Sequence, residues 1–278
     1  MVCGGIQDRR FRRGDYAYCR CSRCGLLASS PIPTAQQISA HYQAKFVSGN
    51  YETARRYEAE YCRVHRQIAK FVGAEPGQRV LDVGCFTGGL IEVMASLGVD
   101  VCGLELQPEA VAIADKRLPG RVHQADVFGK EFPPGPYDIV TMMGLIEHVL
   151  DPMAFLSRAY ALLQPGGRLF LQTPDAGSMV ARLMGSRWPP LAPIEHIHLF
   201  SRQALRQSLQ EAGFSSIRFK RHVKLLPVAY VYEMLSSFGP EWRRAMRPIQ
   251  ILLGRVPLPF YAGEMLVSAV KGGSVATP

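Results

Sequence analysis

Two Glu-His pairs carry the clearest chemistry in this sequence, Glu147-His148 and Glu195-His196, the second followed at once by Ile197-His198. A neutral imidazole within reach of a hydroxyl can take its proton while the oxygen attacks an electrophile. His148 and His196 are therefore the candidate general bases, with Glu147 beside the first; either histidine could instead hold its own loop by a hydrogen bond. The E-H-x-H spacing from Glu195 also suits metal ligands, but no further ligand motif accompanies it. A second set of residues suits a nucleoside. Gly84, Gly88 and Gly89 allow backbone to come close to a ligand, Asp82 is the last polar side chain before them, and Glu105 follows about twenty residues on, where a carboxylate can accept both hydroxyls of a ribose. Asp126 closes a later apolar run, where it could bind a ligand or cap a turn. A third set is Cys3, Cys19, Cys21 and Cys24. Cys21-Ser22-Arg23-Cys24 is a knuckle that can present two thiolates to one zinc, and the alternative is a group of ordinary thiols.

The elements around these residues alternate strand and helix. Arg79–Val83 reads as a strand, Leu90–Leu97 as a helix with apolar residues at helical spacing, and Val101–Leu104 as the next strand. Pro108–Leu118 continues as helix, Arg121–Ala125 as strand and Tyr137–Met142 as strand. Asp151, with Pro152 behind it, starts a helix to Leu163, a Pro-Gly-Gly turn follows, and Leu169–Thr173 is a fifth strand. Ser201 caps a helix over Arg202–Ala212, Phe214–His222 is a sixth strand, and Gly263–Lys271 is the last. The pattern predicts a doubly wound α/β sheet of Rossmann-like architecture with helices on both faces. Asp126-Val127 and the stretch from Gly144 to Pro152 then stand at carboxyl ends of strands, where open sheets of this kind place their sites.

The composition is that of a globular enzyme-sized chain: 47% hydrophobic and 20% charged residues over 278 positions, enough for one large core with appendages. The net charge of +9 is concentrated in part at the front, in Arg9, Arg10, Arg12, Arg13, Arg20 and Arg23. Such a surface favours anionic partners, such as nucleic acid, phosphorylated glycans or lipid, unless it is a solvated arm. No run approaches the ~18 apolar residues of a membrane span, and the front lacks the apolar segment of a signal peptide, so a cytoplasmic location is expected. Seven cysteines in a chain of this length do not form a secreted disulfide framework.

Several strings resemble a known family. Val80-Leu81-Asp82-Val83-Gly84-Cys85-Phe86-Thr87-Gly88 resembles the first motif of class I S-adenosylmethionine-dependent methyltransferases, commonly LDxGCGTG, with Phe86 in place of its middle glycine. The string from Ile146 to Pro152 matches I-E-H-V-x-D-P of a subgroup that includes the ubiquinone-biosynthesis O-methyltransferases. Leu163 to Leu169 matches its L-x-P-G-G-x-L step, and the stretch from Pro193 to Ser201 resembles its P-E-H-x-x-x-F-S element, with Ile194 replacing a proline. The resemblance implies a seven-stranded sheet and a methyl transfer from S-adenosylmethionine. It places the cofactor on Asp82, Gly84, Cys85, Phe86, Gly88, Glu105, Leu106 and Gly144, with the adenine on Asp126 and the backbone N–H of Val127. It puts Glu147 and His148 near the transferred methyl. In the ubiquinone enzymes an E-x-x-E-H pattern holds a divalent ion, and Gly144 stands here where the first acid would be. The front resembles a zinc-ribbon-like segment found in a branch of bacterial methyltransferases; Val2-Cys3-Gly4-Gly5 then reads as the end of a cysteine pair whose first member falls before Met1.

The expected organisation is a Cys/Arg-rich segment over 1–33, a helical cap over 34–78 and the catalytic domain over 79–272. The helices of the cap carry Ile38, Tyr42 and Phe46, then Tyr57, Tyr61, Val64, Ile68 and Phe71, and Tyr42, Tyr51 or Tyr57 could approach the methionine end of the cofactor. An insertion over 225–260 is apolar and basic at once, with Trp242, Arg243, Arg244 and Arg247 beside Ile249, Ile251 and Leu252, which suits a lid, a dimer face or a membrane surface. The tail over 273–278 is expected to be disordered. The acceptor is expected to be a small, anionic or lipid-linked hydroxyl compound. Two other classes compete: a nicotinamide-dependent oxidoreductase, which Phe86 in the glycine turn disfavours, and a non-catalytic nucleic-acid-binding module, for which no aromatic recognition motif speaks.

Overall fold

A computed structural model describes residue 5 and residues 7–47, 58–236 and 240–272. Tyr51, Tyr57 and Cys3 lie outside the described residues. The chain opens with three strands, β1 (Gln7–Arg13), β2 (Tyr16–Cys21) and β3 (Leu27–Ser30), followed by α1 (Ala35–Val47) and α2 (Glu58–Val72). The central unit begins with β4 (Arg79–Val83), α3 (Gly89–Ser96), β5 (Asp100–Glu105), α4 (Pro108–Asp115), β6 (Val122–Gln124) and β7 (Tyr137–Met143). It continues with α5 (Pro152–Leu162), β8 (Leu163–Pro174), α6 (Met179–Met184), the short strand β9 (His198–Leu199), α7 (Arg202–Glu211) and β10 (Phe214–Arg221). A subsidiary ladder of β11 (Lys224–Pro227) and β12 (Pro257–Phe260) encloses α8 (Val228–Ser236) and α9 (Pro240–Leu253), and β13 (Glu264–Lys271) ends the described chain.

Seven strands form one sheet in the order β10-β13-β8-β7-β4-β5-β6. The ladders from β8 to β6 are parallel, and β13 runs antiparallel between β8 and β10. This is the Rossmann-like methyltransferase architecture expected from the sequence. Side chains alternate across a strand, so each strand divides its apolar residues between two cores. Val80, Val101, Ile139, Phe170 and Leu266 pack with α2 and α3 on one face. Leu81, Leu104, Val140, Leu171 and Val267 pack with α5 and α7 on the other. Burial on both faces explains why these strands read as unbroken apolar runs.

Sequence order reverses between β7 and β4, which opens a crevice at the carboxyl ends of the strands. The parallel register fixes what stands there. Val83 pairs with Leu104, and Glu105 with Gln124, so the chain leaves β4, β5 and β6 at one level.

Two elements depart from the sequence reading. The Pro-Gly-Gly turn is part of β8 and does not precede it: Tyr137 lies opposite Leu163 and Ile139 opposite Arg168, so the residues between them bulge from the ladder, with Gly166 at φ 77. The Cys/Arg-rich front is also more than a cysteine knuckle. β1, β2 and β3 form an antiparallel ribbon, and β9 from the Glu195–His198 loop completes it as a fourth strand, Leu27 opposite Leu199. Tyr18 and Leu27 from the ribbon, with Trp188, Leu191 and Leu199, make a small core of their own. Ser201 joins both halves: its Oγ accepts from the Ala204 N–H at 3.1 Å as a helix cap and donates to the Cys24 carbonyl at 2.5 Å.

Candidate functional site

The glycine turn between β4 and α3 leaves the sheet through three left-handed residues, Gly84 at φ 74, Phe86 at φ 49 and Gly88 at φ 76. At Gly88 a side chain would be strained by that conformation, and its Cβ would press on Leu118 Cδ1 at 2.8 Å. Phe86 bears a cost of about 1 kcal/mol for the same backbone. What holds it there is Glu105: its Oε2 accepts from the Phe86 N–H at 2.9 Å, and its Oε1 accepts from the N–H groups of Leu106 at 2.8 Å and Gln107 at 2.9 Å. The N–H groups of Gly84 and Cys85 both donate to the Leu104 carbonyl, at 2.8 and 3.0 Å. The turn and the end of β5 are thus one rigid piece, with a carboxylate at its centre.

Asp82 is buried beneath this turn, and burial pushes its carboxyl up to about 7 although Thr141 Oγ1 donates to it at 2.5 Å. Burial likewise raises the Cys85 thiol. Asp126 stands exposed past β6 and accepts from the Phe128 N–H at 3.0 Å, with Val127 buried next to it. Leu106 is 62% exposed, Phe128 49% and Phe86 41%, an unusual apolar rim for the mouth of a crevice lined by acids. Phe128 went unnoticed in the sequence because it is one aromatic residue in a turn; its edge packs on Phe155 at 5.0 Å between ring centres.

The two Glu-His pairs, far apart in the chain, come together on the other side of Gly144, whose N–H donates to the Gln172 carbonyl at 2.9 Å. His148 and His196 pack edge to face with ring centres 4.7 Å apart, and His148 Nε2 lies 3.7 Å from Glu147 Oε1. One ligand-capable atom from each of Glu147, His148 and His196 falls within 4.8 Å of the others, the one such trio among the described residues. Each histidine is anchored. His196 Nδ1 is 2.7 Å from the Pro190 carbonyl, and Tyr18 Oη donates to the His196 carbonyl at 2.6 Å. His148 Nδ1 is 2.7 Å from Tyr42 Oη. Tyr42 therefore bonds to His148; burial, with the nearby Glu195 carboxylate, keeps its phenol protonated. His198 belongs to the scaffold: its N–H donates to the Glu147 carbonyl at 3.1 Å and its Nδ1 is 3.1 Å from the Val149 carbonyl. Glu195 pairs with His41 of α1 at 3.1 Å.

Glu147 is buried, its Oε2 has no hydrogen-bond partner, and burial pushes its carboxyl up to about 8, with nearby Glu264 acting in the same direction. A carboxyl raised on folding favours its protonated form in the folded state. The stability it confers is complete below the unfolded value of about 4.3 and is lost as pH rises towards 8. Glu147→Gln fixes the neutral form with the same shape. Its melting temperature should match the parent near pH 4 and exceed it by several degrees at pH 9; parallel pH profiles would show that Glu147 ionises without cost.

A smaller cavity of about 160 Å³ adjoins α2 and is lined by Tyr61, Val64, Lys224, Leu226, Tyr230 and Phe260, with Glu264 among its walls. Burial opposes ionisation of Glu264, but Lys224 at 2.8 Å and His222 at 3.3 Å hold its carboxyl down to about 2.

The cysteines divide. Cys21, the last residue of β2, and Cys24, in the turn after it, are buried; the Gly25 N–H donates to the Cys21 carbonyl at 3.0 Å, and Cys19 is half-buried within β2. A side chain on Gly5 would press on Cys21 Sγ. The described cysteines do not themselves form a three-ligand cluster.

A seven-stranded sheet of this order, with a glycine turn and acids at the carboxyl ends of β4, β5 and β6, defines the class I methyltransferase architecture. The family model described as a methyltransferase domain matches residues 53–218. A ubiquinone biosynthesis O-methyltransferase of Bordetella avium is 30% identical over 194 residues, 65% of this chain and 79% of that protein. Its namesake from Xanthomonas campestris pv. campestris is 44% identical over 107 residues, so the chain spans 44% of that relative's length and 36% of its own. This chain belongs to the class I S-adenosylmethionine-dependent methyltransferase family. Among solved structures, a methyltransferase from Thermotoga maritima superposes with a TM-score of 0.57 at 17% identity, covering 83% of this chain and 99% of that one. The [4+2]-cyclase SpnF superposes with 0.52 at 21% identity, covering 77% and 81%. A fold shared with a cyclase does not by itself fix the reaction, so the chemistry has to come from the site.

Proposed function

We propose that this protein transfers a methyl group from S-adenosylmethionine to a hydroxyl of a small molecule, with His196 as the general base. The observation that carries the reading is the bond between His196 Nδ1 and the Pro190 carbonyl. A carbonyl only accepts, so Nδ1 carries a proton, and in the neutral form of the ring the basic nitrogen is Nε2. His148 is the alternative base; its bond to Tyr42 leaves the tautomer undetermined, because a phenol can donate or accept.

The residues present fit the cofactor. Glu105 would take the ribose hydroxyls, Asp126 and the Val127 N–H the adenine edge, and the exposed Leu106 and Phe128 the faces of the base. Asp82, Gly84, Cys85, Gly88 and Gly144 would form the floor under the methionine part. Phe86 sits where a dinucleotide's pyrophosphate needs room, which weighs against a nicotinamide cofactor. When bound, S-adenosylmethionine supplies a methyl group already activated by its sulfonium. The protein's share is to align the acceptor oxygen, exclude water and remove the hydroxyl proton to His196 Nε2. Glu147, beside the histidines, is held towards its neutral form by burial, which suits a hydrogen-bonding neighbour to the base.

The curated relatives support an aromatic or quinone-like hydroxyl as acceptor. Exposed Ile249, Ile251 and Leu252 beside exposed Arg243, Arg244 and Arg247 give α9 the composition of an interfacial helix, which supports an apolar or lipid-linked acceptor and contact with a membrane surface. Among the described residues no helix is long and apolar enough to cross a membrane. Cys21 and Cys24 would supply half of a structural zinc site, with Cys3 as a third ligand; no catalytic step is assigned to it.

Calorimetric titration with S-adenosylhomocysteine tests the cofactor directly. Binding with a micromolar Kd and one site per chain is expected, with no heat from NADH. Folded protein that binds NADH and not S-adenosylhomocysteine overturns the reading.

A further inference from the structure

One cavity lies apart from both the crevice at the glycine turn and the histidine cluster. It is an open cleft of about 790 Å³ between the N-terminal ribbon and the catalytic sheet. One wall is β1, β2 and the turn after them; the other is the segment from Asp175 to Arg182, the start of α7, Arg221 and Tyr261. Each wall brings three arginines: Arg10, Arg20 and Arg23 from the ribbon, and Arg182, Arg202 and Arg221 from the catalytic side. Two aspartates face them. Asp8 lies 3.6 Å from Arg10, and buried Asp175 accepts from Arg202 Nε at 2.9 Å. Arg221 stacks over the ring of Tyr261, its guanidinium carbon 5.9 Å from the centre.

This arrangement separates the arginines of the front by job. Arg13 is structural, its guanidinium donating to the carbonyls of Leu191 and Ser186, and Arg12 donates to the Gly14 carbonyl. Arg10, Arg20 and Arg23 line the cleft together with the three arginines of the catalytic side. The described lining gathers six guanidinium groups and two carboxylates, an excess of positive charge that favours an anion entering between the walls. Guanidinium binds phosphate through paired N–H donors, and the volume is that of a pocket for a nucleotide-sized molecule.

We propose that this cleft binds a small molecule bearing a diphosphate, gripped between the ribbon arginines and those of the catalytic side. Nothing in this assignment depends on methyl transfer, since none of the six arginines belongs to the proposed cofactor or base residues. The diphosphate could belong to a soluble nucleotide or to an isoprenoid carrier.

The test is titration of the full chain at 150 mM salt with inorganic pyrophosphate, on the parent, on Arg182→Gln/Arg221→Gln, and on the control pair Arg63→Gln/Arg66→Gln from α2. The expected result is saturable binding of one pyrophosphate, weakened about tenfold or more in the cleft variant and within about twofold of the parent in the control. S-adenosylhomocysteine should bind all three alike, which separates failure of this assignment from failure of the cofactor reading. Uridine diphosphate and farnesyl diphosphate, titrated in parallel, identify the source by which of them gains most over pyrophosphate. Absence of pyrophosphate binding, equal weakening in both variants, or cleft-dependent binding of single-stranded RNA alone would each overturn the proposal.

Discussion

Replacing His196 with alanine is expected to lower kcat by roughly two to four orders of magnitude, the usual contribution of a positioned general base, while the Kd for S-adenosylhomocysteine stays within about twofold. The proposed base lies outside the glycine turn and the ends of β5 and β6, so the cofactor should not register its loss. The loop, however, should. His196 Nδ1 holds the Pro190 carbonyl and the His196 carbonyl receives Tyr18, so alanine removes the first tie and leaves the second. His196→Asn keeps an N–H donor near the Nδ1 position and removes the basic nitrogen. Asparagine should be as inactive as alanine if proton removal is the role. An asparagine variant with near-parental kcat, beside an inactive alanine variant, would reduce His196 to a residue that shapes its loop, and His148 would be the next to test.

Glu105→Ala should have the largest effect on binding, raising the Kd for S-adenosylhomocysteine at least about 100-fold, the equivalent of losing two charge-assisted hydrogen bonds. Part of that loss comes from the protein itself. The same carboxylate receives three backbone N–H groups, and one of them holds Phe86 in its left-handed conformation. Without Glu105 the turn has no reason to keep Phe86 at φ 49. Glu105→Ala/Phe86→Gly separates the two contributions, since glycine adopts that backbone unaided. If the double variant recovers much of the lost affinity, Glu105 acts mainly by shaping the turn. Parental affinity in the single variant would remove Glu105 from the nucleoside site altogether.

How far the sequence could be read depended on whether a feature was local. The boundaries of β4 match the expected Arg79–Val83, and the Asp151 and Ser201 caps bind Ala154 and Ala204, because strand runs and helix caps are decided within a few residues. The crevice acids were legible for the same reason: Asp82, Glu105 and Asp126 each end or follow an apolar run. What could not be read was contact across the chain. Nothing local says that His148 and His196 touch, that Tyr42 reaches His148, or that β9 is a strand at all, being two residues long. In β1 the arginines conceal its alternation, so the front read as a cationic, cysteine-bearing segment whose strands and cleft could not be placed. The Pro-Gly-Gly step was read as a turn before the strand and not as a bulge within β8, because register is a property of two strands.

The pairing of β3 with β9 bears on the order in which the molecule acquires its parts. Ala28 meets His198 across about 170 residues of chain, and such distant contacts form late because the intervening loop must be closed first. The glycine turn and Glu105, by contrast, lie within one compact strand-helix-strand unit. The loop of the proposed base is therefore tied down only when the two distant parts of the chain meet, whereas the glycine turn needs only its own neighbours, so competence for transfer would arrive with the closing of the whole chain.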